Sequence, residues 1–142
     1  MQTRRLFEGL IGLLTVGKMA ELGRQLVLST DSKFAEEMGK KSGADPKTLQ
    51  SWAPGYIAFD SVISVTGILG IIQGMRKNRK GAGEAALVQS YATMLYGLFY
   101  LFYSLFALKG ASTGNKLINV FASLAHSGAG FLVYRFSQKA LK

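Results

Sequence analysis

Apolar residues in this chain fall in four long stretches divided by short charged ones, and the stretches have the length of a bilayer rather than of a small soluble core. A hydrocarbon layer about 30 Å thick needs about 20 mostly apolar residues per helix. Residues 6–28, 53–75, 85–108 and 117–134 reach or approach that length. The third is the clearest, since no charged residue lies between Ala85 and Leu108. The second carries one charge, Asp60, and opens with Pro54 in its expected first turn, where a missing N–H removes no helical bond. The fourth is uncharged apart from the titratable His126. The first contains Glu8, Lys18, Glu21 and Arg24. Glu8 and Arg24 lie near its ends and can snorkel to water, which leaves Lys18 and Glu21 as the costly pair. The pattern predicts an all-α, single-domain protein over residues 1–142: an integral membrane bundle of four antiparallel transmembrane helices.

The connections agree with that order. Residues 30–51 form the one sizeable loop, with a short amphipathic stretch in which Phe34 and Met38 are four apart, then Asp45-Pro46 as an N-cap and N1 pair. One or two surface-lying helical turns are expected there, with Trp52 and Tyr56 near the headgroups. Residues 76–83 and 109–116 are short enough to force antiparallel neighbours. No internal repeat or low-complexity segment is visible.

Charge then decides orientation. A formal net charge of +9 would suggest nucleic acid in a soluble protein, but here Lys and Arg sit in short runs flanking apolar segments, so no nucleic-acid partner is expected. Four spans put both termini on one side, with Arg4, Arg5, Arg76, Lys77, Arg79, Lys80, Arg135, Lys139 and Lys142. The other side holds Lys33, Lys40, Lys41, Lys47, Lys109 and Lys116, offset by Asp31, Glu36, Glu37 and Asp45. The bias favours termini on the matrix or cytoplasmic side, and Arg76, Lys77, Arg79 and Lys80 form a candidate site for anionic lipid headgroups such as cardiolipin. The N-terminus has the outline of a signal peptide, but Glu8 interrupts the apolar run, Lys18 closes it and no A-x-A site follows, so targeting information is expected within the helices.

Helices in lipid associate through small residues that let backbones approach. Gly67, Gly70 and Gly74 on the second segment, the last two a GxxxG, and Ser123 and Gly130 on the fourth are the candidate packing positions, toward neighbours in the chain or another subunit. Depth points to a further cluster. At about 1.5 Å per residue, Lys18, Glu21, Asp60, Tyr100, Tyr103 and His126 can share one layer, roughly 7 to 15 Å from the ends of their helices. Helical spacing aligns Lys18, Glu21 and Gln25, then Asp60, Ser64 and Gly67, then Asn119, Ser123 and His126, and sets Tyr96, Tyr100 and Tyr103 on a different face from Phe99, Phe102 and Phe106. The expectation is a buried polar cluster in which Asp60 or Glu21 pairs with Lys18, tyrosines inward and phenylalanines outward.

Catalytic and cofactor chemistry finds little support. The chain has no cysteine, which excludes disulfides and thiolate metal sites, and His126 is its only histidine, one axial ligand short of a bis-histidine haem. No phosphate loop, metal-ligand spacing or nucleophile with a local base is present, so no catalytic, cofactor or metal residues are expected. The first expectation for function is a structural, non-catalytic accessory subunit of a larger membrane complex, favoured as a respiratory or ATP-synthase assembly of the mitochondrial inner membrane, with other membrane subunits and lipids as partners. The alternative is a small membrane enzyme or carrier acting on a lipophilic substrate, a quinone or sterol, through Lys18, Asp60 and His126. Solid packing through that layer favours the first, and a cavity lined by it favours the second.

Overall fold

The computed structural model describes residues 2–142, with side chains from Arg5 onward; Arg4, counted above among the basic residues near the termini, lies outside the described side chains. Five helices and, among the described residues, no strands make up the fold: α1 (Gln2–Thr30), α2 (Ser32–Ser42), α3 (Pro46–Met75), α4 (Arg79–Phe106) and α5 (Thr113–Ala140). Their starts are written locally. Asp31, Asp45, Asn78 and Ser112 each accept the backbone N–H three residues on, at 3.0 to 3.3 Å, which satisfies donors a helix leaves orphaned. Pro46 follows its cap as the first residue of α3. Gly43 ends α2 in the left-handed region, at φ 73°.

Three helices, not four, are long and apolar enough to cross a membrane: α3, α4 and α5. Every 18-residue stretch of α1 holds at least three charged residues, which removes it on composition. The segment between the first two expected spans is also more ordered than a loop with a turn or two. α2 has 11 residues and buries Ala35 and Gly39, and α3 begins at Pro46, well before residue 53. Pro54 therefore lies inside α3, about two turns from its start, rather than in a first turn. Tyr56 is not at a headgroup surface: it is 5% exposed and packs edge-on against Tyr96, Phe99, Tyr100 and Tyr103.

Facing side chains fix the topology. Lys18 meets Asp60, Ile63 meets Gln89, Tyr100 meets Asn119 and Gly130 meets Met94, so α1, α3, α4 and α5 run antiparallel to their neighbours in that order. α4 and α5 form the most extensive pairing, followed by α1 with α3 and α3 with α4. α1 and α5 have little contact among the described residues. They meet near the chain ends, where Phe7 stacks on Phe136 with centroids 4.5 Å apart, and diverge beyond. α2 crosses the far end, where a Cβ on Gly110 would stand 2.8 Å from Gly43 O.

Large apolar side chains face outward while polar ones share the interior with apolar ones. Leu13, Val16, Phe121 and Ile118 are among the most exposed side chains, whereas Asp60, Gln89, Ser90 and Thr93 are fully buried. The buried seam of α1 is Ile11, Thr15, Lys18, Gln25 and Leu28, three of them polar. Its outward face carries Leu6, Leu13, Val16 and Met19.

Candidate functional site

The divergence of α1 from α5 leaves a cavity of about 530 Å³ between them, walled by α3 and α4 behind and by Met38 and Ser42 of α2 at the far end. Lys18, Glu21, Tyr100, Tyr103 and His126 all line it. Asp60 sits one layer behind, with its side chain fully buried and its Oδ1 3.3 Å from Lys18 Nζ. That is an ion-pair distance, yet neither carboxylate oxygen accepts an aligned hydrogen bond among the described residues. The ammonium also stands over the Tyr96 ring, 3.1 Å from its centroid, so one cation is held by a carboxylate and an aromatic face together.

Glu21 is engaged elsewhere on its own helix. Both carboxylate oxygens accept from Arg24, at 2.6 and 3.2 Å, and Gln25 Nε2 donates to Oε1 at 3.1 Å. Arg24 therefore folds back along α1 onto Glu21 and lines the cavity instead of acting as a free snorkelling end. Two complete ion pairs, Lys18 with Asp60 and Glu21 with Arg24, lie in one layer.

On the opposite wall the Tyr100 hydroxyl donates to Asn119 Oδ1. His126 Nδ1 lies 2.7 Å from Ala122 O. A carbonyl can only accept, so in the neutral ring Nδ1 carries the proton and Nε2 keeps its lone pair. The Tyr96 ring stands 4.8 Å from the imidazole and links the Lys18 side to the His126 side.

Several contributors escaped sequence reasoning. Tyr56 lies four residues before Asp60 on the same face of α3, a spacing that would have found it. Gln89, Ser90 and Thr93 form a polar break inside an uncharged run. Gln89 Nε2 bridges Thr15 Oγ1 at 3.2 Å and Ile63 O at 3.3 Å, tying α1, α3 and α4 beneath the cavity. Gln25 and Tyr56 line the cavity, and Gln25 Oε1 and the Tyr56 hydroxyl are buried without a hydrogen-bond partner among the described residues.

The small residues divide. A Cβ on Gly67 would stand 2.7 Å from Gln89 Nε2, so Gly67 makes room for side chains of α1 and α4, and one on Gly130 would stand 2.8 Å from Met94 N, which marks close backbone approach. Ser123 is buried against α4 and Gly70 is in ordinary contact with Ala85. Gly74 meets nothing within 4 Å, so the GxxxG pair does not form a seam within the chain. Phe102 and Phe106 are exposed and stacked on each other, whereas Phe99 turns inward onto Trp52, Tyr56 and Phe59. Gly55 makes room for it. Arg76, Lys77, Arg79 and Lys80 are exposed around the α3–α4 turn, at the end that also carries Arg135 and Lys139. No group of acidic and histidine side chains among the described residues could hold a metal ion. The chain matches no family model, and no curated protein or solved structure is significantly similar to it.

Proposed function

We propose that this is an integral membrane protein in which α1, α3, α4 and α5 all cross the bilayer, and that it holds a lipophilic molecule between α1 and α5. The observation that carries the reading is the cavity, because packing through the polar layer is what separates the subunit and lipophile-binding readings. Its lining combines the apolar Leu10, Leu13 and Leu14 with the polar layer of Lys18, Glu21 and His126. A quinone or a sterol is the kind of molecule such a site admits, for carriage or for chemistry. Counting α1 as a fourth span is supported by where its charges lie: Lys18 and Glu21 face inward in ion pairs, while the outward face is aliphatic.

The test is to purify the protein in mild detergent and identify what is extracted from it. A lipophile in near-stoichiometric amount is expected. It should be lost from Gly17→Phe, since Gly17 lines the cavity and a Cβ there meets nothing, so the ring fills the space without forcing helices apart. An equal yield of lipophile from both proteins would defeat the proposal.

A second reading, a non-catalytic accessory subunit of a respiratory or ATP-synthase assembly in the mitochondrial inner membrane, is favoured by the exposed stack of Phe102 on Phe106 and the open glycines Gly9, Gly12, Gly23 and Gly74. These faces would dock other subunits, with termini on the matrix side and cardiolipin at Arg76, Lys77, Arg79 and Lys80. A stable monomer or small homo-oligomer in mild detergent would count against it, and a large co-purifying assembly would support it.

A further inference from the structure

We infer that the molecule held between α1 and α5 is electrically neutral and carries a hydroxyl or carbonyl oxygen at its polar end. This rests on the lipophile-binding reading and specifies its headgroup. The layer holds two cations, Lys18 and Arg24, and two anions, Asp60 and Glu21, each paired within the protein. Those charges cancel. A carboxylate or phosphate headgroup would bring a charge with no counterion into a low-dielectric site, and a quaternary amine would do the same with opposite sign.

A neutral oxygen meets groups that await a partner. The Lys18 ammonium has three N–H bonds, and its contacts are the Asp60 carboxylate, at ion-pair distance without an aligned hydrogen bond, and the Tyr96 ring face, so it keeps donor capacity. Tyr56 and Gln25 line the cavity, and on these residues, only 5% and 3% exposed, the Tyr56 hydroxyl and Gln25 Oε1 are buried without hydrogen-bond partners among the described residues. Buried polar atoms of this kind cost free energy until something bonds them. Lys18 and Tyr56 can donate to a carbonyl or hydroxyl oxygen, and Gln25 can accept from a hydroxyl. Tyr100, by contrast, is committed to Asn119. The apolar remainder of the molecule would run past Leu10, Leu14 and the outward Leu13 into lipid.

The first readout is the charge class of the extracted lipophile: a neutral molecule supports the inference and an ionic one overturns it. The second uses Trp52, the chain's single tryptophan, whose ring lies 5.5 Å from that of the cavity-lining Tyr103. Its fluorescence is followed while the detergent-solubilised protein is titrated with 1-hexadecanol or with hexadecanoic acid at a pH that ionises the acid. The two chains match and only the headgroup charge differs. The alcohol should bind about tenfold or more tightly. Glu21→Gln leaves Arg24 unopposed and should move the preference toward the acid by about tenfold, and Asp60→Asn should move it in the same direction where that variant folds. Equal or tighter binding of the acid by the native protein, or an unchanged ratio in Glu21→Gln, overturns the neutral headgroup while a co-purified lipophile still upholds the binding reading. Absence of any extracted lipophile together with no response to either titrant overturns both.

Discussion

The seam between α4 and α5 and the seam between α1 and α3 hold helices together by different means. α4 and α5 approach through Gly97, Gly130, Ser123 and Ser127, so closely that a Cβ on Gly97 would stand 2.8 Å from Ser123 O. α1 and α3 meet instead through polar side chains: Lys18 on Asp60, with Gln89 of α4 reaching to both Thr15 and Ile63 O. In lipid there is little hydrophobic drive between helices, so van der Waals contact of backbones and buried polar bonds are the two remaining sources of cohesion. The glycine seam brings two backbones close together at Gly97 and Gly130. The polar seam fixes register, because an ion pair can be made in few positions, while α1 has little contact with α5 among the described residues and the cavity lies between them.

The strongest way to break this contrast is to orphan a charge. Asp60→Leu leaves the Lys18 ammonium buried without its carboxylate and should cost about 3 to 5 kcal/mol in thermal or denaturant unfolding. Adding Lys18→Met should recover most of that loss, and an unchanged melting temperature in Asp60→Leu would refute the structural role of the pair. Next comes Gly97→Ala, where the added methyl must push α5 away and should cost about 1 to 3 kcal/mol. A neutral result would mean that the α4–α5 seam is looser than its geometry. Gln89→Leu removes one three-helix bridge and leaves the Thr15 hydroxyl its bond to Ile11 O, so a loss of about 1 kcal/mol is expected. Gly74→Ala is the control for the glycine seam. Its Cβ meets nothing, so the substitution should be neutral or stabilise by up to about 1 kcal/mol through helix propensity. A clear loss of stability or of a co-purifying partner would place Gly74 at an interface outside the chain.

The sequence by itself determined the helical class, the presence of α3, α4 and α5 as long apolar helices, the Asp45-Pro46 cap and the short connections after α3 and α4. Apolar run length and turn chemistry are local properties, and local properties are written in order along the chain. It also brought Lys18, Glu21, Asp60, Tyr100, Tyr103 and His126 into consideration, since depth along a helix follows from counting residues. Tertiary structure decided the rest. Which carboxylate pairs with Lys18 depends on how far α1 slides along α3: Asp60 takes it, and Glu21 turns to Arg24. Whether Tyr56 faces headgroups or the core depends on α3 beginning at Pro46, which places that ring among three tyrosines and Phe99. The gap between α1 and α5 is the least legible feature of all. A cavity is where side chains of separate helices fail to meet, and no spacing within one helix records how far away the next one stands.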